Sequence, residues 1–148
     1  MLRKEFIQWV LMTNDGEFAN LMMHPSSHLE KVYEVTVTGL VNGETLHKLE
    51  KGIYLEGVKT LPCKIKVVGK DNEHKTTMLM IKLVEGKNRQ VKKMFETMGH
   101  NVKRLHRVQV GGINLKGLKP GRYRILKPQE VKELKNMAIA KKNTQLTR

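Results

Sequence analysis

The run KVYEVTVTG, residues 31–39, limits this chain more than any other stretch. Val32 and Glu34 alternate with Tyr33, Val35 and Val37, and the run is rich in β-branched residues. That pattern predicts a two-faced strand stopped at Gly39. The segment CKIKVVGKDNEHKTTMLMIKLVEG (63–86) repeats it twice about the polar loop GKDNEH, and predicts a hairpin. Strands joined by short turns pair antiparallel. Between them lie helical patterns. TNDGEFANLMMHP reads as a short helix capped by Thr13 or Asn14 and ended by Pro25. NGETLHKLEKGI carries Leu46 and Leu49 inward behind an Asn42 cap. Residues 88–98 put Val91, Met94, Phe95 and Met98 on one face, with Gly99 as a left-handed stop. VKRLHRVQVGGINL predicts a strand with a Gly-Gly break, and RYRIL a further strand after a Pro-Gly turn. A last helix starts near Pro128. The expected fold is α+β, a mixed, mainly antiparallel sheet with flanking helices.

Charge narrows the partner. The net charge is +14, from 28 Lys plus Arg against 14 acids in 148 residues. Such an excess points to a polyanion, RNA or DNA before an anionic membrane. No apolar run reaches the length of a membrane span. The start MLRKEFIQWVL is broken by Glu5 and Gln8 and carries no small-residue cleavage site, so a signal peptide is not expected. Cys63 is the single cysteine, which fits a reducing, cytoplasmic setting. The six histidines are scattered without thiolate partners, and no metal is expected.

The cations are not spread evenly. EGKNRQVKKMF (85–95) gathers Lys87, Arg89, Lys92 and Lys93 at a helix start, where acids are the usual choice. Gly86 and Asn88 allow close backbone approach. A second group, Lys103, Arg104, His106 and Arg107, follows at once. A solvated charged face is the common fate of such runs. Clustering at a strand-to-helix junction favours a phosphate backbone instead.

The block EGKNRQVKKMFETMGHNVKRLHRVQVGGINLKGLKPGRYRIL resembles the signature of the RsuA-like ribosomal RNA pseudouridine synthases. LMTNDGEFANLMMHPSSHLEKVYEVTVTG resembles an earlier block of the same family, and together they span about Leu11 to Val131. The resemblance implies uridine isomerisation in ribosomal RNA without cofactor or metal, on a base flipped into a pocket. An aspartate attacks the nucleotide, a tyrosine lies against the uracil, and a basic residue pairs with the aspartate. The tyrosine falls on Tyr33 and the basic residue on Lys92, where the usual arginine is a lysine. Lys31, Lys87, Asn88, Arg89, Gln90, Lys93, Lys103, Arg104 and Arg107 become the implied RNA contacts.

The aspartate departs from the pattern. Aligning the family's GRLDxxTxGLLLLTND on Thr13-Asn14-Asp15 puts Arg3 at its position. The chain has two aspartates, Asp15 and Asp71, and neither aligns with it. Three segments are therefore expected: a truncated or aberrant start over 1–10, a synthase portion over 11–139, and a basic disordered tail over 140–148. The expected behaviour is ribosomal RNA binding without turnover, with self-association through an uncovered sheet edge. A non-catalytic RNA-binding remnant and a basic ribosome-associated protein are the alternatives.

Overall fold

The computed structural model describes residues 10–24, 27, 29–86, 89–115 and 117–146, with side chains to residue 139. The alternating runs form the sheet. β1 (Lys31–Thr38) is its centre, flanked antiparallel by β5 (Thr76–Leu83) and β6 (Val102–Val110). β4 (Lys64–Asp71) pairs outside β5, and β7 (Ile113–Asn114) outside β6, giving the order β4-β5-β1-β6-β7. A separate small hairpin joins β2 (Tyr54–Leu55) to β3 (Val58–Lys59). The structure matches the expected α+β class, and the five-stranded sheet is antiparallel throughout.

Four helices accompany the strands among the described residues. α1 (Gly16–Met23) is capped by Asp15, whose carboxylate accepts from the Phe18 amide at 3.1 Å. This corrects the expected Thr13 or Asn14 cap: Thr13 Oγ1 instead accepts from the Asp15 amide. Pro25, the expected stop, lies outside the described residues. α2 (Gly43–Lys51) has the expected cap, with Asn42 Oδ1 accepting from the Thr45 amide at 2.8 Å. α3 (Gln90–Thr97) ends as expected before Gly99, at φ +85°. α4 (Pro128–Leu146) continues through most of the segment expected as a tail.

Period-two alternation sends one face of the sheet into the main core. Val35 and Val37 of β1 meet Leu79 and Ile81 of β5 and Leu105 of β6, under Leu49 of α2 and Met94 and Phe95 of α3. Each such fully buried side chain contributes about 1.5–3 kcal/mol. A second cluster, Phe18, Ile113 and Leu134, ties α1 and α4 to β7. The Gly111-Gly112 turn permits this approach. Gly111 has φ +57°, and a Cβ there would stand 2.7 Å from Leu134 Cδ2.

One expectation changes. RYRIL is no strand: residues 122–127 have no ladder partner among the described residues, and Tyr123 is 85% exposed. A strand needs a neighbour for its amides, and alternation alone does not supply one. β4 is one outer strand of the sheet. β4 presents exposed Lys64, Lys66 and Lys70 and carries a register shift between Val67 and Gly69, two devices that oppose edge-to-edge pairing. Among the described residues, no helix is long and apolar enough to cross a membrane.

Candidate RNA-binding site

The site grows from one end of β1. Tyr33 shares the core-side face with Val35, and Lys31 follows two residues earlier on the same side. Across β6, Arg107 is the register partner of Tyr33 and Leu105 that of Val35. Lys31, Tyr33 and Arg107 therefore belong to one face where the hydrophobic core ends. A register shift between Val32 and Tyr33 lies beside this group. Such bulges re-aim side chains next to binding sites.

Lys31 is the strained member. Burial, and secondly the nearby Arg107 guanidinium, hold its amine below the ordinary lysine range. Its ammonium also packs against the backbone at Gly86, where a Cβ would stand 3.1 Å from Nζ. Gly86 thus lets the strand-to-helix connection approach Lys31. Lys31 and Arg107 thus crowd two cations at this end of β1.

The connection into α3 is anchored from within. Gln90 is 3% exposed. Its Nε2 donates to Glu85 Oε1 at 2.5 Å and lies 3.7 Å from Met94 Sδ. The same Glu85 oxygen accepts from the Leu61 amide at 3.0 Å. Gln90, expected as an RNA contact, is thus buried and ties the start of α3 to Glu85. Helical period explains this: Gln90 precedes Met94 by four residues and shares its inward face.

Arg89 opens α3 in the left-handed region, φ 53°, exposed and without a side-chain cap bond. Lys92 is half-buried on α3. Lys93 forms an ion pair with Glu56 at 3.0 Å, which occupies its ammonium on the β2–β3 turn. Lys87, Asn88 and Arg3 lie outside the described residues.

The second basic group divides. Arg104 and His106 are register partners of Thr36 and Glu34, on the sheet face opposite Arg107. Lys103 falls at the register shift between Thr36 and Val37. Only Arg107 of that group joins Tyr33 and Lys31. Alternation from Arg104 to Arg107, between the two register shifts, carries the signal for this split.

Both aspartates hold backbone amides. Asp15 caps α1 and lines a groove that Arg107 also lines. Asp71 accepts from the Glu73 and His74 amides in the β4–β5 turn, and its other oxygen meets His74 Nδ1 at 2.8 Å.

The chain is similar to known proteins in both sequence and fold. The family model described as RNA pseudouridylate synthase matches residues 9–97. The chain is 46% identical over 134 residues to ribosomal large subunit pseudouridine synthase B of Bacillus subtilis, covering 90% of this chain and 55% of that protein. It is 37% identical to ribosomal small subunit pseudouridine synthase A of Escherichia coli K12, covering 82% of this chain and 52% of that protein. A solved pseudouridylate synthase structure superposes with a TM-score of 0.74 at 32% identity, covering 82% and 52% of the two chains. The chain thus spans about half the length of these relatives. Family match, sequence identity and fold lead to one conclusion: this chain belongs to the RNA pseudouridylate synthase family.

Proposed function

We propose that the chain serves uridine-to-pseudouridine isomerisation in ribosomal RNA, and that its own residues supply the RNA-gripping half of that task. The observation that carries this reading is the group Lys31, Tyr33 and Arg107 at one end of β1, with Lys31 depressed by burial and by Arg107. A half-buried lysine crowded by a guanidinium beside an aromatic ring suits a flipped nucleotide, with phosphate offsetting the Lys31 charge and the base lying against the ring. Arg89 extends the basic surface at the start of α3, and Lys92 is the family's basic position on the same helix. Ribosomal RNA enters as the partner because the similar proteins are named for ribosomal subunits.

A second reading is favoured by the aspartates. Asp15 and Asp71 each accept backbone amides at a helix cap and a hairpin turn. Arg3 occupies the family's aspartate position by alignment and offers no nucleophilic lone pair. On this reading the 148-residue chain binds RNA and positions a uridine but does not break its glycosidic bond.

Salt-dependent binding tests the gripping role. If about four phosphates are neutralised, the log–log salt slope on a ribosomal RNA fragment is roughly −3 to −4. Arg89→Gln together with Arg107→Gln should flatten it by about two. A slope near zero in the unaltered chain would remove the proposal.

A further inference from the structure

The stretch 117–127, between β7 and α4, is not used by the site above. It contains Lys119, Arg122, Arg124 and Lys127, all exposed, and no acid. Tyr123 and Ile125 are 85% and 84% exposed. The backbone is nevertheless fixed. Arg124 makes a two-pronged bond to Glu130 at the start of α4, at 2.8 and 2.9 Å, and its Nη2 reaches the Asn114 carbonyl at 3.5 Å. The Lys127 amide donates to the same Glu130 carboxylate at 3.0 Å. The strap is therefore held at one end by α4 and at its middle by β7.

Beneath it runs a groove of about 700 Å³. Val10, Ile113 and Leu115 supply apolar walls, and Arg107, Arg122 and Tyr123 supply cations and an aromatic ring. This volume lies within the roughly 300–1,000 Å³ of small-ligand clefts. The lining acid is Asp15, whose carboxylate caps α1. Arg124 is paired with Glu130, and Arg122 is the exposed cation that the strap itself brings to the groove.

We infer that the Arg122-Tyr123 strap is a second RNA subsite, which stacks an unpaired base on Tyr123 and holds its phosphate with Arg122. An exposed ring between guanidiniums is the chemistry that grips single strands, because every base has a face to stack and every linkage a charge to neutralise. Arg107 faces both this groove and Tyr33, so the subsite would take nucleotides flanking the one at Tyr33. Charge favours RNA over a second copy of the chain, since the strap carries exposed Lys119, Arg122 and Lys127 and no acid, and the whole chain is at +14. The inference rests on the RNA-binding reading above.

The experiment measures anisotropy of a fluorescein-labelled twelve-residue oligouridylate and of a duplex of equal length, with mass by light scattering. Tyr123→Ala should weaken single-strand binding roughly 5- to 30-fold. It should leave duplex binding unchanged, and Tyr123→Phe should retain the parent affinity. Unaltered thermal unfolding of Tyr123→Ala would show that the change is local. Equal single-strand affinity in parent and Tyr123→Ala, while Lys31→Met weakens binding, would overturn this subsite and leave the proposed function standing. A parent chain that binds neither RNA would overturn both. A dimeric parent with a monomeric Tyr123→Ala would assign the strap to a second copy and overturn the subsite.

Discussion

Tyr33 and Arg107 stand opposite each other on adjacent antiparallel strands, at the point where the buried face of the sheet gives way to cations. Val35 and Leu105, one step along the same face, are both in the core. The ring is therefore packed on one side by aliphatic side chains and neighbours a guanidinium on the strand beside it. Tyr33→Ala should reduce affinity for a uridine-containing RNA and also cost about 3 kcal/mol, as large-to-small changes at packed rings do. Tyr33→Phe should keep stability, which a urea titration of both variants would separate.

Lys31 offers a trade between stability and binding. Its amine is held low by burial and by Arg107, so the folded state disfavours the charged form. Below that depressed value the folded protein carries a cost that the unfolded chain does not, and the cost is relieved as pH rises from it towards the ordinary lysine value of 10.5. Lys31→Met should therefore raise the melting temperature at neutral pH while lowering the salt slope of RNA binding by about one. A lower melting temperature in the variant would contradict the assignment.

Cys63 should resist alkylation in the folded chain. Burial first, then Glu50 and Glu85, push its thiol up to about 12, and its Sγ donates to the Leu49 carbonyl at 3.5 Å. The folded pKa is raised, so the stability it contributes is present below the unfolded value of roughly 8.5 and is lost as pH rises from there towards about 12. Iodoacetamide at pH 8 should label Cys63 at the rate of global unfolding, as mass spectrometry would report. Labelling at the rate of a free thiol would contradict this.

Gln90→Ala should destabilise by about 1–3 kcal/mol, because it leaves a Glu85 oxygen without its side-chain donor in a part-buried place. Denaturant unfolding checks the magnitude. Gln90→Glu should cost more, since two carboxylates would then meet.

Much of this architecture was legible. The alternations at 31–38 and 64–83 and the 3.6-residue spacing of Val91, Met94, Phe95 and Met98 are direct prints of burial, and the structure buries those faces. What failed depends on contacts that sequence distance does not reveal. RYRIL alternates like a strand, yet a strand is made by its neighbour, and none stands beside it among the described residues. Gln90 reads as one of a polar run, but its partner Glu85 lies before the helix and is itself tied to the Leu61 amide. Arg104 and Arg107 look like one cluster in print and lie on opposite faces of the sheet.

The most direct test of the central claim is tritium release from C5-labelled uridine in a ribosomal RNA fragment that the 148-residue chain binds. The account predicts saturable binding and no release, because Asp15 and Asp71 are engaged at a helix cap and a hairpin turn and Arg3 aligns with the family's aspartate. Asp15→Asn should leave this null result unchanged. Release by the unaltered chain that is abolished by Tyr33→Phe or by Asp15→Asn would contradict the account and place a working nucleophile in this molecule.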